Sequence, residues 1–415
     1  MRWKTLLRSG SALWATLLLV PALLFFSSGN TDSTIPYWES VTAQSTIVLG
    51  VVSAVCGACA AWESGRLKQA AISTWAPSRS DLRVACEHLA PVALLGVLGI
   101  LAALVAFAGP ARDTPGGPDW TVLAVSYTVV ISHVAVGYLV GRWLPRLLGT
   151  ALMLVFGYFW GFWPAALDRP AWLRHLNGQG IGDCCRLDQE PSLRSLGATA
   201  LFSIGALAAV WIFLFVGSRR GFWILSSAVA VTGLVAAVVV AKPLGLDGEQ
   251  ARDRTALHCV GNQPQVCLWP EQLDHQADFV RWSHVAERRL RTAGLTPPGQ
   301  MAFSQVVPDR ETVLSVTATS LLPLDPPACA LTPGAAYPGD EAVSVIYPWL
   351  AMTAGVRPDA LQWPAEHVRY AEKVRELPRS SQRTWFDRNM RSVRDCSIKP
   401  ELTLSAFTRA TEKPT

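Results

Sequence analysis

Charge is scarce in this chain. Only 16% of its 415 residues are Asp, Glu, Lys or Arg, against about 25% in an ordinary soluble domain. That shortage argues for lipid contact, since hydrophobic residues fill half of the sequence. The motifs of several enzyme classes are missing as well. No GxxxxGK[ST] run can cradle nucleotide phosphates, so the chain is not its own P-loop ATPase. The GQGIGD run at 178–183 lacks the lysine and the strand–helix setting that such a loop needs. There is no HExxH, and His258, Cys259, Cys267, His275 and His284 fit no zinc spacing. A GxSxG turn that would expose a nucleophilic serine is absent too. No contiguous basic stripe with interleaved aromatics occurs, so nucleic acid is a poor explanation for the net charge of +5. Nothing in the sequence asks for a cofactor or a metal.

What is present is apolar length. A hydrocarbon core of roughly 30 Å needs about 20 helical residues. Seven runs reach or approach that length, at 11–28, 45–62, 89–109, 120–140, 147–167, 198–217 and 222–241. The first follows Arg2, Lys4 and Arg8, as a secretory signal would. Its run is long and its FFSSGN exit is a weak cleavage site, so it reads as a retained anchor. The fold class expected is therefore an all-α polytopic membrane domain of about seven transmembrane helices over residues 1–243. A soluble extracytoplasmic domain, α+β or mostly helical, follows over 244–415, with acids and bases nearly balanced.

Cations in the loops set the orientation. With the N-terminus inside, Arg2, Lys4, Arg8, Arg66, Lys68, Arg79, Arg83, Arg142, Arg146, Arg219 and Arg220 are cytoplasmic. The outer loops then keep only Arg112, Arg169, Arg174, Arg186 and Arg194. An odd number of spans sends the C-terminal domain outside. Six of the nine cysteines fall in regions assigned outside: Cys184, Cys185, Cys259, Cys267, Cys329 and Cys396. An even number there suits disulfides in an oxidising compartment. The turn residues of CVGNQPQVC point to a short loop closed by Cys259 and Cys267. The rest of the pairing is open.

Within the spans, His133 and its neighbour Ser132 lie mid-helix, and an ionisable group at that depth is a candidate relay or transport residue. The plainer reading is a neutral imidazole bonded within the helix bundle. Cys56 and Cys59 form CGAC in the second span. A redox pair is one reading; close helix packing on small residues is preferred. Tyr158, Trp160 and Trp163 read as an interfacial aromatic belt. In the outer domain, 271–290, 340–355, 363–377 and 380–396 have helical spacing. The segment 312–319, TVLSVTAT, alternates like a strand.

The polar segment 62–91 is the largest cytoplasmic piece. A structureless loop of that length is unusual, and Leu67, Ile72, Trp75, Leu82 and Val84 give it apolar contacts, so it suits docking. Here the chain resembles a known family. WESGRLK ends the second span and APSRSDLRVACEHLAP enters the third, behind a basic N-terminal tail, a first span and an outer loop. Residues 1–243 are in this respect similar to the membrane subunits of type-2 ABC exporters from GC-rich bacteria. CVGNQPQVCLWPE and SSQRTWFDRNMRSVRDC resemble uncharacterised C-terminal domains attached to such permeases. The resemblance implies a coupling helix in this segment, with Glu63, Arg66, Lys68, Trp75, Arg79 and Arg83 meeting a cytoplasmic ATPase subunit. It implies a homodimer or a heterodimer with a second permease chain in the lipid bilayer, an apolar or amphipathic substrate, and no chemistry in the chain itself. Seven spans with an outside C-terminus depart from the family's common six. The rival from another class is a non-transporting receptor or envelope scaffold whose outer domain binds a ligand.

Overall fold

The computed structural model describes residues 10–29, 34–70, 81–182, 184–216, 220–331 and 336–408. It divides into two units, Met1–Asp253 and Arg254–Thr415. Among the described residues, seven helices are long and apolar enough to cross a membrane, and all lie in the first unit. They are α1 (Ser11–Ser28), α2 and α3 (Trp38–Ser45 and Leu49–Gln69, joined by a 3-10 turn), α4 (Asp81–Phe107), α5 (Trp120–Trp143), α6 (Arg146–Phe162), α7 (Leu193–Trp211) and α8 (Arg220–Ala241). The chain is thus built as a membrane-embedded, multi-pass protein.

Two span boundaries are corrected. The second span does not stop at Trp62; helix runs on through WESGRLK to Gln69. The third begins at Asp81, not Leu89. Polar residues at these ends let a span continue past the apolar run, because hydropathy marks the hydrocarbon and not the helix.

The joined α2–α3 helix is the axis of this unit, with 89% of its apolar window buried. Small residues make that possible. Gly50, Ala54, Gly57, Ala61 and Gly65 recur along α3 at helical spacing and face α5 and α6. Gly137 and Gly141 of α5 lie directly on the backbones of Gly57 and Ala61. On α6, a Cβ added to Gly157 would meet the Cα of Ala54 at 2.7 Å, and Gly161 lies on Gly50. Helices in lipid gain no hydrophobic drive from one another, so close backbone approach and dispersion hold them together. Cys56 and Cys59 of α3 are free and buried, and Cys56 faces α4, its Sγ 3.6 Å from the Val92 carbonyl. By contrast, Leu13, Trp14, Leu17, Leu18 and Phe25 of α1 are exposed, as a lipid-facing surface requires.

At the opposite end from Gln69, the loop between α6 and α7 folds into a polar cap. Asn177 Nδ2 donates to the carbonyls of Trp160 (2.9 Å) and Gly161 (3.0 Å). Gln179 Nε2 donates to Thr46 O at 2.8 Å. Asn177 thus serves carbonyls in the last turn of α6, where helix carbonyls lack intrahelical partners, and Gln179 ties the cap to the 3-10 turn at the start of α3. Strand β1 (Gln189–Pro191) then pairs antiparallel with β2 (Glu249–Ala251). That pairing carries the first unit beyond residue 243 and returns the chain leaving α8 to the cap.

The second unit is mostly helical, with one small sheet. Strands β3 (His258–Val260), β4 (Gln265–Leu268) and β5 (Gln300–Ala302) form it in that order, the first pair antiparallel and the second parallel. Around it stand α9 (Gln276–Thr292), α10 (Arg310–Thr319), α11 (Gly339–Ala354), α12 (Ala365–Glu376), α13 (Arg379–Arg394) and a short α14 (Ser405–Thr408). Trp349, Trp385 and Phe386 pack at the centre, with centroids 5.3 and 5.4 Å apart. The region around 271–290 starts with a 3-10 turn, Pro270–His275, before α9 begins.

The strand expected at 312–319 is a helix, α10. Asp309 accepts from Thr312 N at 2.9 Å as its N-cap. Val313, Leu314, Thr317 and Ala318 then bury one face. The β-branched residues suit a strand, but the cap and the packing face outweigh a propensity difference of a few tenths of a kcal/mol per residue.

Candidate functional site

Helix α4 enters the unit beside the segment 71–80, and its first turns form the wall of a groove. Leu82, Cys86 and Leu89 face Ile131 and Tyr138 of α5 and Trp211 of α7 across a volume of about 290 Å³. The lining is apolar except for the Cys86 thiol and the Tyr138 phenol. Cys86 is exposed, whereas Cys56 and Cys59 are buried. The groove lies at the end of the unit where Ser11, Gln69, Asp81, Trp143 and Arg146 are gathered. Trp143, Phe213 and Trp223 cluster at this same end, with centroids 4.4–5.4 Å apart.

The residues expected to dock a partner divide. Glu63 is buried and faces inward. Its Oε1 accepts from Ser11 N at 2.7 Å, and its Oε2 lies 3.0 Å from Arg66 Nη1. Gly10 offers no capping side chain, so the carboxylate of α3 caps the N-terminus of α1, where a negative charge is favoured. Glu63 therefore clasps two spans together. Beside it the Arg146 guanidinium stacks 3.2 Å from the Trp62 ring centroid. Arg66 is half-exposed, and Lys68 and Arg83 are exposed. Arg83 pairs with Glu87 at 3.1 Å. Trp75 and Arg79 lie outside the described residues.

Ser132 and His133 are buried and both turn back on their own helix. The Ser132 hydroxyl donates to Val129 O at 2.7 Å. His133 Nδ1 donates to the same carbonyl at 2.9 Å. Of the aromatics on α6, Tyr158 and Trp163 are exposed, as a belt facing lipid headgroups would be. Trp160 instead packs against Phe202, 5.2 Å away.

The six cysteines assigned outside pair completely. Cys184 bonds Cys185, Cys259 bonds Cys267, and Cys329 bonds Cys396. Cys259 and Cys267 face each other across the β3–β4 ladder. A family model matches residues 266–396, and it is described only as a domain of unknown function, DUF7224. No curated protein and no solved structure matches the chain. The DUF7224 region runs from β4 to the second cysteine of the last disulfide.

One buried histidine escaped the sequence reading. His175 Nε2 donates to Gly245 O at 3.1 Å, and Nδ1 meets the Ser195 hydroxyl at 2.9 Å. Its backbone carbonyl accepts from Thr199 Oγ1 at 2.7 Å. This resembles a Ser–His pair, but both side chains are buried and Nε2 is held by a backbone carbonyl. The arrangement locks the cap onto α7. The only signal in the sequence was a histidine in a loop between two spans.

Burial holds the His175 imidazole below its ordinary value of 6.5, aided by Arg174 and opposed by the Gly245 bond and by Asp247. The imidazole is neutral in the fold, so Nδ1 accepts from Ser195. As pH falls through about 6.5, the unfolded chain takes up the proton first. The stability from His175 is then fully present above that pH and declines below it. Melting curves of the wild type between pH 7.5 and 5 are expected to fall more steeply than those of His175→Gln. Parallel slopes would remove His175 as the acid-sensitive group.

Proposed function

We propose that this chain is a permease-like subunit of an ABC-type exporter in a bacterial cell membrane, and that it moves an apolar or amphipathic substrate. The groove beside α4 carries this reading. Its lining is mostly apolar, it lies between three spans, and its first lining residue, Leu82, follows the 71–80 segment closely in sequence. A partner that pushes on that segment or on Arg83 pushes on the helix whose Leu82, Cys86 and Leu89 line the groove. Docking and substrate path then share one rigid element, which is what coupling requires. The docking surface comprises Arg66, Lys68, Trp75, Arg79 and Arg83. ATP hydrolysis belongs to a separate cytoplasmic subunit. A second permease chain, identical or different, would complete the path.

The cationic loops put the N-terminus inside. Seven spans then put residues 254–415 in the oxidising space outside, where disulfides persist. The test is extraction in a mild detergent followed by affinity purification. An ATPase subunit is expected to co-purify, and Arg79→Glu with Arg83→Glu is expected to lose most of it. Alkylation of Cys86 is expected to block substrate-stimulated hydrolysis in the complex. Recovery of the chain with no ATPase after gentle extraction contradicts the proposal.

The second reading is a membrane receptor or envelope scaffold, and an open cavity in the outer unit favours it. Scrambling residues 71–80 separates the two, because a scaffold tolerates the change and a coupled permease does not.

A further inference from the structure

Four arginines of the outer unit line one cavity of about 590 Å³. Val285, Arg288, Arg289 and Thr292 come from one face of α9, spaced for that face. Arg375 comes from the last turn of α12, and Arg379 from the first turn of α13. No carboxylate is among the lining residues. None of the four arginines forms an ion pair among the described residues.

The other arginines of α9 are paired, and so are some of those on α13. Arg281 pairs with Asp278 and Arg291 with Glu287 on α9, and Arg383 pairs with Asp387 on α13. Helix ends account for part of the pattern, since Arg289 and Arg375 sit near C-termini, where a cation is favoured. Arg379 has the opposite setting. It opens α13, the end at which the helix dipole disfavours a cation, behind a Pro378 that provides no capping side chain. Placing it among three like charges costs further unless an anion completes the set.

The cavity is also held in shape. Gln382 Nε2 donates to the carbonyls of Arg375 (3.0 Å) and Leu377 (2.7 Å), and its Oε1 accepts from Trp349 Nε1 at 3.3 Å. That side chain fixes the α12–α13 turn and with it the placement of Arg375 and Arg379. Arg289 Nη1 donates to Ala354 O at 3.2 Å. It lies over Gly355, whose φ of +105° ends α11 and whose missing Cβ leaves room for the guanidinium.

We propose that the cavity formed by Arg288, Arg289, Arg375 and Arg379 binds a ligand carrying at least two phosphate groups. Guanidinium forks match phosphate oxygens in pairs. Four exposed guanidinium charges around one cavity are better balanced by multiply ionised phosphates than by a single carboxylate. The same chemistry reaches the site either as a soluble diphosphate or as a lipid headgroup with two phosphates. The proposal stands apart from transport and from the side of the membrane.

The test titrates inorganic pyrophosphate into the full-length protein in nanodiscs of neutral lipid. The wild type is expected to bind, and Arg288→Gln and Arg379→Gln are each expected to weaken binding by about tenfold or more. Arg281→Gln removes the same charge outside the cavity and is expected to leave affinity within about twofold. Nanodiscs containing cardiolipin separate the sources: weakened pyrophosphate binding in the wild type identifies the headgroup, and unchanged binding identifies the soluble ligand. If the wild type binds no pyrophosphate and retains no cardiolipin, or if Arg281→Gln weakens binding as much as Arg379→Gln, the proposal is overturned.

Discussion

Gly137→Leu is expected to leave no folded membrane unit, and Gly137→Ala is expected to destabilise it. Alanine normally stabilises a helix by roughly 0.5–1 kcal/mol over glycine. At residue 137 the added methyl would fall on the backbone of Gly57, and at residue 141 on that of Ala61. Neither neighbour is a side chain that can rotate away. Overpacking of this kind costs about 1–3 kcal/mol for small additions, and a leucine separates α5 from α3 altogether. Gly197 of α7 is the control, because a Cβ there meets nothing within 4 Å. Gly197→Ala is therefore expected to be neutral or stabilising. Yield and monodispersity after detergent extraction, with thermal melting, give the comparison. Equal behaviour of the two alanine variants would refute the backbone-to-backbone seam.

The second large effect concerns the unit of residues 254–415. Cys329 and Cys396 are joined across 67 residues of sequence. In the loop-entropy account, a closure of that length stabilises by about 4 kcal/mol. Ordinary domains have only about 5–15 kcal/mol in total. Replacing both cysteines by serine is expected to lower the melting temperature of this unit by roughly 10 °C. The Cys259–Cys267 bridge spans only 8 residues, so its removal is expected to cost less, about 2–3 kcal/mol. Pulse proteolysis of the full chain in urea, read on fragments of residues 254–415, ranks the two. The reverse ranking would show that residual structure in the unfolded chain, and not loop length, governs the unit.

The spans were legible because lipid demands an unbroken apolar run, and each of the seven runs became a helix. Their ends were not, because Glu63, Arg66 and Asp81 continue helices past the apolar stretch that announces them. The axial role of α3 was half visible: its small residues suggested close packing, but the partners Gly137, Gly141, Gly157 and Gly161 are matched only in three dimensions. The alternation of TVLSVTAT is that of a strand, and the signal for a helix is the Asp309 cap just before it. Cysteine pairing could not be read, since six cysteines allow 15 arrangements. Arg288 and Arg379 lie in different helices, each among other charged residues, so their convergence had no sequence signal.

The central claim is a bilayer-spanning unit that carries residues 254–415 on the far side from residues 71–80. Alkaline phosphatase fused after Thr415 and, separately, inserted within 71–80 measures this directly in intact cells. The account predicts an active enzyme at the first position and an inactive one at the second. An inactive C-terminal fusion with an active insertion would contradict it.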